Sequence, residues 1–266
     1  MTNAEILEIA LRQSAWDCNC EPGDFLKATN TYTVSVKEPK ARKYLPLPFA
    51  CDLVSYGSGV VAQCREDLIP LVREFLEKYP SEHVFETPHI YALNDRLAPY
   101  GLKVCYMAEY FLPDMSRFQV PGCDFELRTL GKDDFGELYL PQWSNALCEA
   151  RKELDVLGVG AFDGEKLVGF AGCSADCEDM YQIGVDVLPE YRGRGIAPAV
   201  TGALAQKVFE MGKLPFYCAA WCNIKSVRNA VRCGFRPAWV ELTAREISHV
   251  EEMNRQATGF EYRAGK

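Results

Sequence analysis

The chain has 266 residues, 48% hydrophobic and 25% charged, with 29 basic against 37 acidic side chains and a formal net charge of −8. That balance has the wrong sign for a broad nucleic-acid surface, and no run of about 18 apolar residues offers a membrane span. The acidic start Met1-Thr-Asn-Ala-Glu-Ile-Leu-Glu also lacks the basic opening and apolar core of a secretion signal, so a cytoplasmic globular protein of two moderate domains is expected, with neither nucleic acid nor membrane as partner.

Residues 4–15 read as an amphipathic helix, with Ile6, Ile9, Ala10 and Ala15 or Trp16 on one side. Asp24 to Lys27 reads as a helical turn and Thr31 to Val36 as an alternating strand. The basic, proline-containing run from Lys37 to Pro48, with Lys40, Arg42 and Lys43, reads as a solvated connection. Phe49 to Val54 and Gly59 to Gln63 read as two strands joined at Tyr56-Gly-Ser-Gly59. Asp67 to Tyr79 is a helix that tolerates Pro70 in its first turn. Tyr91 to Ala98 is a further helix, and Leu102 to Tyr110 a strand. The Pro/Gly stretch from Leu112 to Cys123 is the best boundary, giving domains of residues 1–120 and 121–266.

Beyond it, Phe125 to Leu130 is a strand, and Lys132 to Leu138 and Ser144 to Lys152 are expected as helices. Gly158 to Phe162 and Lys166 to Cys173 form a hairpin across Asp163-Gly-Glu-Lys166. Met180 to Leu188 is a strand that stops at Pro189. A loop then carries Arg192, Gly193, Arg194 and Gly195, after which Ile196, Val200, Leu204, Val208 and Met211 recur at helical spacing. Leu214 to Trp221 is a strand, Asn223 to Cys233 a helix and Ala238 to Leu242 a last strand.

Twelve cysteines include Cys18-x-Cys20 and the pairs Cys173/Cys177 and Cys218/Cys222. None of the three histidines, His83, His89 and His249, stands beside these pairs. No metal site is expected, and reduced, mostly buried thiols are.

Strand, glycine-containing turn and helix put free N–H groups and the positive end of a helix dipole at one place, which makes an anion site. The chain has no Gly-x-x-x-x-Gly-Lys-Ser/Thr string, and Pro198 stands where a dinucleotide fingerprint needs its third glycine. What remains is Arg192-x-x-Gly195-x-Ala197. Further on stand Asn223-x-x-Ser226 and Cys233-Gly234-Phe235. Asn223 is also what an N-cap requires, with Ser226 in the first turn.

The first string resembles the Q/R-x-x-G-x-G/A signature of the GNAT superfamily of acyl-CoA-dependent acyltransferases. The second resembles the pattern on that family's fourth helix. The order of elements from about Asp124 to Leu242 is similar to the GNAT fold throughout. The implied class is α/β (α+β): a C-terminal GNAT fold with a mixed central sheet flanked by helices, preceded by a smaller α+β domain of unknown role. Two-domain members with a divergent first half, glycine N-acyltransferase-like ones among them, are the nearest comparison.

The resemblance implies that Arg192, Gly193, Arg194, Gly195, Ile196 and Ala197 hold the pyrophosphate of coenzyme A. Asn223 and Ser226 would face the pantetheine arm and the phosphates. Val185, Asp186 and Val187 would offer main-chain contacts beside a strand bulge, for which Gly184 is suited. Asp179, with Glu178 beside it, is the candidate general base, and Asp186 is its rival on the other face. The family's leaving-group tyrosine, seven residues after the helix asparagine, is replaced here by Ala230. Tyr181, Tyr217 or a water could take its place, or the thiolate could leave unaided. Trp221, Tyr139 and Trp143 are candidates for the acceptor pocket, with core packing as their ordinary role.

The expected activity is transfer of an acetyl group from acetyl-CoA to a primary amine of a small molecule, by direct attack and without a metal. The alternatives are a protein amine as acceptor, a non-catalytic acyl-CoA-binding protein, or a structural protein that has lost the ligand. A homodimer is compatible with the sequence.

Overall fold

The computed structural model describes residues 1–259. The first elements are helix α1 (Asn3–Cys18), strands β1 (Thr31–Val34), β2 (Cys51–Ser55) and β3 (Val61–Cys64), helices α2 (Ile69–Leu76) and α3 (Thr87–Leu97), and strand β4 (Leu102–Pro113). Strands β5 (Glu126–Gly131), β6 (Asp155–Asp163), β7 (Lys166–Ser174) and β8 (Met180–Val187) follow. Helix α4 (Ile196–Glu210), strand β9 (Leu214–Ala220), helix α5 (Ile224–Arg232), strand β10 (Phe235–Glu246) and helix α6 (Ile247–Gly259) complete the order. The fold is mixed α/β, with both parallel and antiparallel strand pairs.

The chain divides into two compact units that interleave in sequence. The first holds Met1–Asp17, Lys40–Leu45 and Ala108–Ala238, and the second holds Cys18–Pro39, Pro46–Met107 and the chain from Trp239 on. They do not succeed one another at residue 120, and the Pro/Gly stretch at 112–123 lies inside the first unit.

In the second unit the strand order is β1-β3-β2-β10. The β2–β3 hairpin forms as its sequence suggests, with Cys51 opposite Cys64 and Val54 opposite Val61. Leu68, Val72, Phe75 and Leu76 bury the apolar face of α2 and its lead-in turn against these strands, together with Leu93 and Leu97 of α3.

In the first unit the order is β4-β9-β8-β7-β6-β5. Only β8 and β9 are parallel neighbours there, and α4 is the crossover that joins them. Ile196, Val200, Leu204 and Val208 are fully buried, as their spacing requires. Each such side chain contributes about 1.5–3 kcal/mol by leaving water. Met211 differs from expectation: it caps the helix and is 48% exposed.

The helices expected at 132–138 and 144–152 do not form. Short 3-10 turns stand there instead, at Lys132–Asp134, Gly136–Leu138, Pro141–Trp143 and Glu149–Leu154. Gly136 and Pro141 interrupt any longer ladder. Tertiary bonding then fixes the chain that follows Trp143. Asp186 accepts the N–H groups of Asn145 and Ala146 at 2.9 and 3.0 Å, and the Asn145 side-chain amide at 2.6 Å.

The Lys37–Pro48 run is not merely a solvated connection. Arg42 is buried, its Nε–H donating to Oδ2 of buried Asp17 at 2.5 Å, and its guanidinium lies 5.2 Å from the ring centre of Tyr110. A carboxylate 25 residues away in sequence neutralises the arginine, and the solvated reading counted charge without that partner.

Candidate functional site

Strand β8 leaves the sheet through the 3-10 turn Pro189–Tyr191. Arg192 follows in extended backbone, with its Nε–H donating to the carbonyl of Val187 at 3.1 Å. Gly193 and Gly195 then take φ of +80° and +78°, a region that side chains with a Cβ avoid. Gly195 is the N-cap of α4. Among the described residues the amides of Gly193, Arg194 and Gly195 meet no backbone acceptor. Helix geometry leaves those of Ile196 and Ala197 without an intrahelical one. Pro198, in the first turn, has no N–H to leave unpaired.

Two arginines belong to this turn. Arg194 packs its charge 4.4 Å from the ring centre of Phe125 and 5.5 Å from that of Tyr191. Tyr191 is held by its hydroxyl donating to Asp163 at 2.9 Å. Among the described residues neither Arg192 nor Arg194 has a carboxylate within ion-pair distance. Backbone donors, the N-terminal end of a helix dipole and two arginines without a carboxylate partner thus belong to one exposed turn, a combination that favours negative charge.

Next to it, β8 and β9 are paired only from Met180/Leu214 to Ile183/Tyr217. Beyond that level β8 continues to Val187 against β7, and β9 continues to Ala220 against β4. The β8–β9 ladder therefore does not extend along Gly184–Val187, and that edge of β8 has backbone groups with no ladder partner in β9. Val185 and Val187 lie on this edge, half-buried against the core beside α4.

The expected bulge at Gly184 is absent. β8 keeps an unbroken register with β7 from Gln182 to Val187, and Gly184 stands opposite Gly172. Both glycines serve close approach instead. A Cβ on Gly184 would come within 1.8 Å of the Asn145 carbonyl oxygen, and one on Gly172 within 2.2 Å of that of Ala146. The facing glycines make a flat patch on which the 143–147 segment lies, fixed there by Asp186. Asp186 is thus a support for this segment, and its oxygens are engaged.

Asp179 sits just before β8. Its Oδ2 accepts from Arg12 Nη2 at 3.0 Å, and Lys213 Nζ lies 3.9 Å from its Oδ1. Arg12 holds one oxygen by a hydrogen bond, Lys213 lies beyond hydrogen-bond distance of the other, and the side chain stays 37% exposed. Glu178 beside it is exposed.

On α5, Asn223 caps the helix by accepting the N–H of Ser226 at 3.2 Å. The hydroxyl of Ser226 lies 2.8 Å from that of Tyr217, and Asn229 Nδ2 donates to Thr201 Oγ1 at 2.9 Å. Burial pushes the Tyr217 hydroxyl above its ordinary pKa. Ala230 is fully buried. This Tyr217–Ser226–Asn229–Thr201 group is only partly visible in the sequence, because Thr201 and Asn229 read as plain helix positions.

The aromatic candidates separate. Trp143 is buried against Phe170, and Tyr139 donates to Asp155 at 3.2 Å, with burial pushing its pKa up to about 12. Trp221 is 47% exposed. Cys218 is half-buried and Cys222 exposed. Among the described residues no three His, Cys, Asp or Glu side chains stand close enough to hold a metal ion, and no helix is long and apolar enough to cross a membrane.

Residues 125–235 match the model of the acetyltransferase (GNAT) family. No curated protein sequence matches the chain. Among solved structures, a GNAT-family protein from Novosphingobium aromaticivorans is similar at 20% identity over 54% of this chain and 66% of that one, just under two thirds, with a TM-score of 0.43. A GCN5-related N-acetyltransferase from Sphaerobacter thermophilus is similar at 15% identity over 71% and 72%, with a TM-score of 0.46. A Salmonella typhimurium protein solved with its cofactor acetyl-CoA is similar at 15% identity over 46% and 94%, with a TM-score of 0.33.

Proposed function

The chain carries, at residues 125–235, a domain of the acetyltransferase (GNAT) family, and from that premise we propose that the protein transfers an acetyl group from acetyl-CoA to a primary amine of a small molecule. The observation that carries this reading is the turn at Arg192–Ala197. It joins two unneutralised guanidiniums to a helix N-terminus beside two strands that part after Ile183 and Tyr217.

In this reading Arg192, Gly193, Arg194, Gly195, Ile196 and Ala197 bind the pyrophosphate. The β8 edge at Val185 and Val187 binds the pantetheine amides, and Asn223 and Ser226 stand at its side from α5. Backbone dipoles fixed by the β8 edge polarise the acyl carbonyl, and preorganised groups of this kind supply most of the rate enhancement in many enzymes. The amine attacks directly. Its proton goes to water in this reading; Asp186 is held by Asn145 and Ala146, and Asp179, ion-paired to Arg12, is the alternative base. A cytoplasmic setting belongs to this reading, supported by cysteines that are free of disulfides among the described residues.

A second reading is a binder of acyl-CoA without turnover, favoured by the buried Ala230 where the family resemblance implies a tyrosine. Calorimetry with acetyl-CoA, followed by a panel of amines read by mass spectrometry, separates the two. Binding with transfer supports the enzyme. Binding with no transfer to any small amine or amine-bearing peptide favours the binder. No binding by folded protein removes both.

A further inference from the structure

We propose that Ser226 and Tyr217 form a proton relay to the leaving sulfur, taking over the work of the tyrosine that Ala230 replaces. This rests on the acyltransferase reading above.

The placement comes first. Tyr217 is the last residue of β9 paired with β8, opposite Ile183, so it stands where the two strands begin to part. Its side chain points to the face that carries α4 and α5, where its ring packs 6.3 Å from that of Phe235. There its hydroxyl meets Ser226 in the first turn of α5 at 2.8 Å. Ser226 is half-buried, whereas Tyr217 is only 2% exposed. The serine therefore stands between the tyrosine and the open side of the helix.

Chemistry fixes one direction, that of the bonds from Asn229. Asn229 Nδ2 can only donate, and it lies 3.5 Å from the Tyr217 oxygen while holding Thr201 at 2.9 Å. Across the 2.8 Å contact either hydroxyl can donate, so Tyr217, accepting from Asn229, keeps a proton that it can pass to Ser226 Oγ. Ser226 Oγ has no other partner among the described residues, so its proton is free to point outward. In the relay the donors run Asn229, Tyr217, Ser226, outward. Burial keeps Tyr217 protonated at neutral pH. Ala230, one position after Asn229, carries no hydroxyl to compete for this place.

The step balances. As the new C–N bond forms and the C–S bond breaks, Ser226 Oγ gives its proton to the sulfur, and Tyr217 Oη gives its own to Ser226 Oγ. The attacking amine loses one proton to water. Once the thiol has left, water returns a proton to Tyr217 through Ser226. Ser226 is the catalytic residue in this scheme, and Tyr217 and Asn229 are positioning residues behind it.

The test uses the full chain with Tyr217→Phe, Ser226→Ala, Ser226→Thr and the Tyr217→Phe/Ser226→Ala pair. For a proton donor, kcat of Tyr217→Phe should fall about 100-fold with KM for acetyl-CoA unchanged. The double variant should lose little more than Ser226→Ala alone, and Ser226→Thr should retain most of the rate. The fall of kcat at alkaline pH should be present in the wild type and absent from Tyr217→Phe. Calorimetry with coenzyme A and its desulfo analogue reads the sulfur contact without turnover. Wild type should prefer coenzyme A, and Ser226→Ala should lose that preference. Wild-type kcat in Tyr217→Phe, or an unchanged preference in Ser226→Ala, overturns the relay. A wild type that transfers to no amine, yet shows a preference that Ser226→Ala loses, refutes the acyltransferase reading and leaves the contact standing.

Discussion

Arg42 donates its Nε–H to Oδ2 of Asp17 at 2.5 Å, and the backbone N–H of Arg42 donates to Oδ1 of the same carboxylate at 2.9 Å. Gln13 adds a third bond to Oδ1 at 3.0 Å. Both charges lie out of water, at 3% and 2% exposure, and belong to segments of the first unit far apart in sequence.

Arg42→Ala should therefore be strongly destabilising. Removing one partner of a buried pair leaves the other uncompensated, which costs about 3–5 kcal/mol. Burial already pushes the Asp17 carboxyl upward, against the opposing pull of Arg42. In the variant that opposition is gone, so the folded state should hold the Asp17 proton more tightly still. Stability of the variant should then decline as pH rises through the raised folded pKa. Thermal melts from pH 4 to 8 test this, and a variant melting like wild type throughout would contradict it.

Asp114 gives an acid-side prediction. Its carboxylate accepts from the Ser116 hydroxyl, from Asn3 and from the Ser116 backbone, and its pKa falls to about 2. A depressed folded pKa adds stability above the unfolded value that disappears as pH drops through the folded one. Wild type should lose melting temperature between about pH 4 and pH 2 partly through this group. Asp114→Asn should show a shallower loss over that interval, and an identical slope would exclude the linkage.

Gly195→Glu should abolish coenzyme A binding. The residue sits at φ +78°, where a Cβ costs about 1–2 kcal/mol, and the new carboxylate would face the anion. Space is not the obstacle, because the nearest atom to an added Cβ is the Gly122 oxygen at 3.7 Å. Circular dichroism should report a folded protein, while calorimetry reports no heat of binding. Arg192→Ala and Arg194→Ala should each weaken binding by about tenfold, the equivalent of about 1.4 kcal/mol. Unchanged affinity in all three would move the anion site elsewhere.

Gly184→Ala should disturb the 143–147 segment. An added Cβ lands 1.8 Å from the Asn145 oxygen, and backbone must move to admit it. Overpacking of this sort costs about 1–3 kcal/mol. Asp186→Asn should loosen the same segment by weakening its bonds to Asn145 and Ala146. Hydrogen exchange at these two amides should rise in both variants, and protection equal to wild type would show that the flat patch does not hold the segment.

The sequence by itself determined the elements whose signals are local. Period and punctuation define β8, the Arg192–Ala197 turn and α4, because a strand that ends at Pro189 and a helix that begins after Gly195 are set by adjacent residues. Asn223 is legible as a cap for the same reason. Only the tertiary structure decided what depends on distant partners. The helices expected at 132–138 and 144–152 give way to turns because Asp186 and the facing Gly172 and Gly184 hold that chain from across the sheet. Arg42 reads as solvated until Asp17 supplies its counter-charge, and the ion pairs of Asp179 with Arg12 and Lys213 are equally invisible in the sequence. A side chain's charge is written in the sequence, but its partner is chosen by the fold, and the partner decides whether that charge stabilises, supports or reacts.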